Sequence, residues 1–368
     1  MDIFRIKGTV KDYEWGTTDY IPSLFGGYTG GKQAEYWMGT HPNGEAVTEG
    51  GEKLSSVTGY SLPFLFKVLS IASPLSLQCH PNKEQAKEGW KREEKLRESG
   101  AEHNYQDENE KAEMLSALTK VTALCGFRKF DEIKRTLENS IPSSWNEYLK
   151  DKKDIRELFF SFFGFEKKIK DEILCELEKT VKESSVPSAE DGFLTSYGII
   201  RETLVKYPGD IGSVFPLMMN VIRLEPYDAV YLEPDVLHAY VKGNGIELMT
   251  ASDNVLRGGL TTRHIDVDEL GRIMYFGSSD ISLIEKKNEN GIVWYLTQSE
   301  DFSLGYITKR AETELENDSI LLFLGAGTLK CGEKELKLYK GDTIFVPENS
   351  GKITIEADSP VFVATDRK

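Results

Sequence analysis

YLEPDVLHAYVKGNGIELMTASDNVLRGGLTTRHID, residues 231–266, is the stretch around which the rest of the chain is organised. His238 stands at the end of one strand-like run, and Glu247 lies in the next one. Asp253 follows in a turn, and Arg257 comes just before two glycines. Imidazole, carboxylate and guanidinium groups at strand ends and turns are typical of functional sites. The stretch therefore predicts β-structure that carries such a site.

Strand patterning continues from residue 215 to the C-terminus with almost no helix signal. Within it, residues 226–234 (PYDAVYLEP) resemble residues 340–348 (KGDTIFVPE), because a turn feeds an apolar strand that ends near a proline in both. Two such units favour two antiparallel β-sandwich or jelly-roll domains. Only the first unit is followed by a histidine, His238, so we expect a metal-type site only there.

The N-terminal part also reads as β-structure. Residues 1–60 predict short strands and turns, and residues 62–80 predict two buried strands. Gln78 and His80 are two positions apart, so they point to one face of the second strand. A charged helix is expected to start near Pro81.

Residues 130–207 differ, because their apolar residues recur at helical spacing with charges between them. Asp154 is predicted to cap one helix, and Ser184 to Pro187 to end another. The predicted fold is therefore mainly β with a helical insert. We expect a domain of residues 1–128 with 213–275 that carries the site, a helical insert of residues 129–212, and a C-terminal domain of residues 276–368.

Composition excludes several classes of partner. The 368 residues carry a formal net charge of −15, which argues against binding to nucleic acid or to an anionic membrane. The N-terminus has no signal-peptide pattern, and no apolar run is long enough to span a membrane. The four cysteines are widely separated, which favours buried reduced thiols and a cytoplasmic location.

His80 and His238 are the two histidines placed at strand ends beside turns, and Gln78 and Glu113 can complete a set of nitrogen and oxygen ligands. Such a set without thiolates suits zinc, although manganese, iron or cobalt could also occupy it. Alternatively, these histidines are ordinary hydrogen-bonded polar residues. The other three histidines are predicted to lie in a turn (His41), in an exposed acidic loop (His103) and at a supporting position next to the site (His264).

Several cations lie close in sequence to these groups. Arg257 is either an ordinary ion-pair partner of Asp253 or Asp266, or a member of the site. Lys111, Arg263 and Lys67 are further cations. Two or three of them around a metal would form an anion-binding pocket in an acidic protein.

The chain resembles the type I mannose-6-phosphate isomerase (phosphomannose isomerase) family, zinc enzymes of the cupin superfamily. The matching motifs are PFLFKVLS (63–70), PLSLQCHPNK (74–83), NEKAEM (109–114) followed by ALCGFR, and the stretch 231–266 quoted above. The resemblance implies two cupin (jelly-roll) β-barrel domains plus an α-helical domain. It implies one Zn²⁺ per chain, held by Gln78, His80, Glu113 and His238.

The resemblance also implies roles for residues around the metal. Arg257 is expected to be catalytic, with Glu247 or Lys111 as the base; a metal-bound hydroxide is a third possibility for the base. The residues expected to line the substrate pocket are Ser76, Tyr240, Asp253, Trp15 and Arg263. Two positions depart from the family pattern: a usual histidine is Glu110, and a usual lysine is Arg263.

The implied activity is metal-dependent interconversion of mannose 6-phosphate and fructose 6-phosphate through a cis-enediolate. The alternatives are a non-catalytic sugar-phosphate-binding cupin and a metal-cupin oxygenase. An oxygenase usually has a His-x-His pair, and Gln78 stands at the first position of that pair here. The expected partner is a small sugar phosphate. The sequence leaves the oligomeric state open, with a monomer or a weak dimer expected.

Overall fold

The structure is a computed structural model that describes residues 2–27, 30–140, 145 and 148–367. Most of its regular elements are strands, as predicted. The described strands are Phe4–Lys7 (β1), Thr9–Lys11 (β2), Glu35–Met38 (β3), Val47–Thr48 (β4), Phe64–Ile71 (β5), Leu77–Cys79 (β6), Glu113–Ala117 (β7), Val121–Phe127 (β8), Ala189–Glu190 (β9), Phe193–Leu194 (β10), Met219–Leu224 (β11), Ala229–Leu232 (β12), His238–Thr250 (β13), Leu256–Gly259 (β14), Lys286–Glu289 (β15), Ile292–Tyr295 (β16), Phe302–Ile307 (β17), Arg310–Glu314 (β18), Ser319–Phe323 (β19), Gly327–Cys331 (β20), Lys334–Leu338 (β21), Thr343–Val346 (β22), Lys352–Ala357 (β23) and Val361–Asp366 (β24).

The helices concentrate between β8 and β11. The described α-helices are Tyr20–Phe25, Leu54–Thr58, Lys83–Arg92, Glu94–Ser99, Phe130–Ser140, Ile155–Gly164, Lys167–Glu183, Ser196–Lys206 and Val267–Ile273, and a 3₁₀ helix covers Ile211–Leu217. No helix in the described ranges is long and apolar enough to cross a membrane.

Strand β13 is the centre of a ten-stranded sheet. It has 13 residues and pairs antiparallel with β5, β6, β7 and β8. Its first residue, His238, lies opposite Gln78 of β6 and Cys125 of β8. Further along, Glu247 lies opposite Lys67 of β5. Because β13 touches four neighbours, it brings groups that are far apart in sequence to one end of the sheet.

An eight-stranded sheet contains most of the C-terminal strands and also two from the N-terminal part. In it β1 pairs antiparallel with both β4 and β22. One apolar cluster contains residues from both sheets, for example Ile6, Phe64, Leu248, Phe302 and Phe345. The first and third predicted domains are therefore joined by strand pairing and by a shared core. The predicted boundaries themselves stay a prediction.

The helical segment between β8 and β11 has its own apolar core. Phe159, Phe162, Leu177 and Phe215 are fully buried in it, and Leu77 and Cys79 of β6 belong to the same cluster. The side chain of Asp154 accepts a hydrogen bond from the Glu157 amide, so the predicted cap is confirmed. The long helix Lys167–Glu183 ends at Ser184, as expected. Packing against Leu77 and Cys79 supports the opposite face of the strand that carries Gln78.

The two sequence repeats form equivalent turns in the two sheets. Tyr227 and Gly341 occupy the same position in the repeat, and both have a positive φ, 71° and 88°. An aspartate follows in both copies, and its side chain accepts a hydrogen bond from the backbone amide three residues earlier. The distance is 3.1 Å for Asp228 and 2.9 Å for Asp342. The strands that follow, β12 and β22, lie in the ten-stranded and eight-stranded sheets respectively. The similarity in sequence thus corresponds to a similarity in local structure.

Three helices differ from the sequence-based expectation. Residues 1–60 contain Tyr20–Phe25 and Leu54–Thr58 besides strands and turns. The helix Val267–Ile273 interrupts a part of the chain expected to be almost free of helix. These helices have five to seven residues, which is too short for a helical period to emerge from the sequence. One signal was present: the Asp266 side chain caps the last of them by accepting from the Glu269 amide.

Candidate active site

One large cavity, of about 1000 Å³, opens where β5, β6, β7, β13 and β14 meet. Every residue that the sequence predicted for the site lines it, except His80, which lies directly behind the lining. The predicted residues that line the cavity are Trp15, Ser76, Gln78, Lys111, Glu113, His238, Tyr240, Glu247, Asp253, Arg257 and Arg263. Glu110, which departs from the family pattern, is not among the lining residues.

Three of the predicted ligands converge at the base of this cavity. His80, Glu113 and His238 are buried, and their ligand atoms all lie within 4.8 Å of one another. Nε2 of His80 is 3.2 Å from Oε1 of Glu113, and Nε2 of His238 is 3.5 Å from its Oε2. Among the described residues this is the one group of histidine, cysteine or acidic side chains with such geometry.

The other nitrogen of each imidazole is engaged by the backbone. Nδ1 of His80 lies 2.8 Å from the Asn254 carbonyl oxygen, and Nδ1 of His238 lies 2.9 Å from the Val236 carbonyl oxygen. A carbonyl can only accept, so Nδ1 carries the proton and Nε2 offers its lone pair. Burial, followed by the nearby Lys111 ammonium, lowers the pKa of His80 to about 4. Both Nε2 atoms are therefore free to bind a cation together with the Glu113 carboxylate.

Gln78 lies beside this group. Its strand position is opposite His238, and its amide Nε2 donates to Ser76 Oγ at 3.3 Å. The amide lines the cavity, whereas its neighbours Leu77 and Cys79 are buried in the core on the opposite face. The predicted direction of the side chain is thus correct, and its role as a ligand stays a prediction.

Lys111 places an ammonium next to the ligand carboxylate. Its Nζ donates to Oε1 of Glu113 and lies 3.3 Å from Nε2 of His80. Burial opposes ionisation of Glu113, but the Lys111 ammonium outweighs it and holds the pKa of Glu113 well below its usual range. Glu113 is therefore a carboxylate under all ordinary conditions.

Glu247 forms a buried ion pair that the sequence did not predict. Its Oε2 lies 2.7 Å from Nζ of Lys67, and both side chains are less than a tenth exposed. Burial raises the pKa of Glu247, and Lys67 counteracts this only in part. Burial disfavours the charge on Lys67, but Glu247, Glu35 and Glu113 outweigh it and raise the pKa of Lys67. The sequence did contain a signal for this ion pair, because Lys67 and Glu247 are charged residues that each lie within an apolar, strand-like segment.

Arg257 and Arg263 supply positive charge on another side of the cavity. Within the described part of the chain neither guanidinium forms an ion pair within 4.0 Å, so Asp253 and Asp266 are not partners of Arg257. Burial, and then the charge on Arg263, lowers the pKa of Arg257. Two neighbouring cations that lack a carboxylate partner in the described ranges are suited to bind an anion.

Asp253 is held by the turn that contains His41. Nε2 of His41 lies 3.3 Å from Oδ1 of Asp253, and Asn43 donates to Oδ2 at 2.9 Å. The hydrogen bond from His41 is the main reason why the pKa of Asp253 lies below its ordinary value. The sequence identified His41 only as a turn residue, because its partner lies 212 positions away in the chain.

Two further anchors position the loops around the cavity. The Asn254 side chain accepts from the Gln106 amide at 2.7 Å and donates to the Asn109 carbonyl at 2.8 Å. It thereby ties the turn that contacts His80 to the loop before Lys111. Asp210 accepts from the Thr261 amide at 2.9 Å and anchors the loop that carries Arg263. There Gly259, with a φ of 132°, packs against Gly212, and a Cβ on Gly259 would lie 3.0 Å from the Gly212 Cα.

Comparison with known proteins gives a consistent result. The family model described as "Phosphomannose isomerase type I, catalytic domain" matches residues 3–130. The mannose-6-phosphate isomerase of Escherichia coli (strain K12) is 30% identical, over 96% of this chain and 96% of its own length. The mannose-6-phosphate isomerase of Homo sapiens is 30% identical, over 98% of each chain.

Solved structures are similar over the whole chain. The apo form of mannose 6-phosphate isomerase from Salmonella typhimurium has a TM-score of 0.88 at 26% identity, and the match covers 100% of both chains. A zinc-bound holo form of mannose 6-phosphate isomerase matches with the same TM-score, identity and coverage. The similarity therefore extends beyond the catalytic-domain match to both sheets and the helical segment.

Proposed function

Because this chain belongs to the type I mannose-6-phosphate isomerase family, we propose that it is a metal-dependent aldose–ketose isomerase that interconverts mannose 6-phosphate and fructose 6-phosphate. The observation that carries the proposal is the buried group His80, Glu113 and His238 in one cavity with Glu247 and Arg257. A sugar phosphate is then the small-molecule partner.

The proposed metal is zinc, one ion per chain, held by His80, Glu113 and His238 with Gln78 as the fourth ligand. The donor set fits, because two imidazoles whose Nδ1 atoms face backbone carbonyls, together with one carboxylate, are ligands that zinc prefers. When bound, zinc supplies a Lewis acid that polarises a carbonyl or hydroxyl oxygen. The backbone carbonyls behind both histidines keep the rings in the orientation that the metal needs.

Glu247 is proposed as the base that moves a proton between C2 and C1 of the sugar. It lines the cavity, and burial raises its pKa toward the range in which a carboxylate is an effective base. Lys67 keeps Glu247 oriented through the 2.7 Å contact. Lys111 is the alternative base, and its contact with Glu113 weakens that alternative because it ties the Lys111 side chain to a proposed metal ligand.

Arg257 is proposed to stabilise the negative charge of the cis-enediolate, since its guanidinium lines the cavity and has no carboxylate partner among the residues that the structure describes. One such donor is commonly worth about 3–4 kcal/mol in the transition state. Arg263, at the exposed edge, is proposed to bind the phosphate of the substrate. The side chains proposed to contact the rest of the sugar phosphate are Trp15, Ser76, Tyr240 and Asp253.

For the architecture we propose two cupin barrels and a helical domain, with the boundaries 1–128 and 213–275, 129–212, and 276–368. The equivalent turns at Asp228 and Asp342 support two related units. The strands β1 and β4, which pair within the C-terminal sheet, act as a connection between the two barrels in this proposal.

A coupled assay tests the function directly, by following fructose 6-phosphate formed from mannose 6-phosphate with zinc present. Arg257→Ala should lower kcat by about a hundredfold or more, while Arg257→Lys should restore only part of it because a point charge replaces the guanidinium fork. Arg310→Ala removes an exposed arginine in β18 and should leave kcat unchanged. Wild-type protein with bound zinc that forms no fructose 6-phosphate would refute the isomerase and leave a sugar-phosphate-binding protein.

The base is tested by proton exchange. Glu247→Gln should abolish exchange of the C2 proton of the substrate with solvent, because the amide cannot accept a proton. If exchange continues at the wild-type rate in this variant, Glu247 is not the base, and Lys111→Met becomes the next variant to measure.

A further inference from the structure

A second cavity, of about 500 Å³, lies where the helical segment meets β11. None of its described lining residues also lines the candidate active site. Its lining includes Arg128, which ends the ALCGFR motif, and Arg223 of β11. The ALCGFR motif has no part in the proposed isomerisation, so its arginine needs another explanation.

Arg128 is a half-buried cation whose hydrogen bonding is incomplete. Its Nη2 donates to Thr136 Oγ1 at 2.7 Å and to the Leu217 carbonyl oxygen. Its Nε is buried and has no hydrogen-bond partner among the described residues. No ion pair to Arg128 occurs within the described ranges, and burial lowers its pKa. The guanidinium therefore retains unused capacity to donate hydrogen bonds.

The rest of the lining can also bind an anion. Arg223 is paired with Glu190 at 3.0 Å, but both side chains are well exposed, and such a pair is weak. Ser196 and Tyr197 begin the helix Ser196–Lys206. The first amides of a helix have no partner within the helix. As far as the structure describes the lining, it contains no carboxylate.

We propose that this cavity binds a small phosphate-bearing anion between Arg128 and Arg223. Phosphate fits better than a carboxylate, because it offers enough oxygens to accept from two guanidinium groups and from the helix start at the same time. The charge of the whole chain supports a specific site. At a net charge of −15, a cavity whose described lining contains two arginines and no acid attracts an anion against the overall field.

Hydrogen exchange measured by mass spectrometry, with inorganic phosphate as the probe, tests the site. Phosphate should slow exchange in the peptide that contains Ser196 and Tyr197, relative to sodium chloride at the same ionic strength. The same protection should occur in Arg263→Ala, which removes the phosphate contact proposed for the active site. Protection of this peptide by phosphate in Arg263→Ala would show that the second cavity binds phosphate independently of the active site. The coupled assay tests the isomerase activity separately, so either proposal can fail without the other.

Variants decide the assignment. Arg223→Gln and Arg128→Gln should each raise the phosphate concentration for half-maximal protection on the order of tenfold, as expected for one charge-assisted hydrogen bond. Arg310→Gln is the matched control and should have no effect. Arg223 is well exposed, so its variant should fold even if Arg128→Gln does not. Absence of protection in the wild type, or unchanged protection in Arg223→Gln, would overturn the proposal.

Discussion

Nζ of Lys67 lies 2.7 Å from Oε2 of Glu247, and the two residues are directly opposite each other on β5 and β13. Both are buried. A buried ion pair of this kind costs desolvation energy and is weak evidence for a stabilising role. Its position in the cavity indicates instead that Lys67 adjusts the ionisation and the orientation of Glu247.

The first prediction concerns this pair. Burial raises the pKa of Glu247 and the Lys67 charge lowers it, so Lys67→Gln should raise it further. The base must be ionised, and therefore the acid limb of the kcat/KM profile should move to higher pH. Activity at acidic pH should fall more than activity on the plateau. The pH dependence of kcat/KM measures this.

Lys242 lies on the same strand as Glu247 and forms a more exposed ion pair with Glu202. Lys242→Gln is therefore the control and should leave the acid limb of the kcat/KM profile in place. Breaking a buried pair costs about 3–5 kcal/mol of stability, so thermal unfolding is measured with each variant. An unmoved acid limb in a folded Lys67→Gln protein would mean that another group titrates.

The second prediction concerns the metal. His80→Ala and His238→Ala each remove a nitrogen of the buried cluster, so zinc content after purification should fall well below one ion per chain. Activity should fall about a hundredfold or more, because a Lewis acid supplies several kcal/mol. His103→Ala removes a histidine whose Nδ1 contacts the Ala101 carbonyl oxygen and which lies outside the buried cluster, so this variant should keep its zinc. Full zinc content in either ligand variant would contradict the assignment.

The third prediction concerns Asn254, whose carbonyl holds His80 and whose side chain ties the loop 106–109 to the same turn. Asn254→Ala frees the turn, so the zinc dissociation constant should rise about tenfold or more, the usual effect of losing a group that supports a ligand. Competition with a chelator gives the constant, with exposed Asn288→Ala as the control. Equal affinity in the two variants would show that His80 does not depend on this turn.

The fourth prediction concerns Asp210, which accepts from the amides of Thr261 and Gly212 at 2.9 and 2.7 Å. Asp210→Ala releases the loop that carries Arg263. The KM for mannose 6-phosphate should therefore rise on the order of tenfold, matching the loss of a hydrogen bond to a charged group, while kcat changes little. Steady-state kinetics measure both, with exposed Asp280→Ala alongside. A fall in kcat at constant KM would assign Asp210 to the chemistry instead.

Much of the architecture was readable from local patterns. An apolar run interrupted near Pro74 predicted β5 and β6, helical spacing predicted the helix Lys167–Glu183, and Asp154 marked a helix start. The short helices were not predicted, because one or two helical turns contain too few residues to show a helical period of apolar residues. The ion pair of Lys67 and Glu247 was not predicted, because the sequence of one strand does not specify its register against another strand.

The sequence by itself determined which residues can form strands, caps and turns, and which side chains can bind a metal or carry charge, because these depend on near neighbours. Only the tertiary structure decided that His80, Glu113 and His238 meet, that His41 supports Asp253, and that Arg257 has no carboxylate partner among the described residues. Those relationships join positions up to 212 apart in the chain. They exist because β13 pairs with four strands at once, and a burial pattern along one strand does not specify its partners.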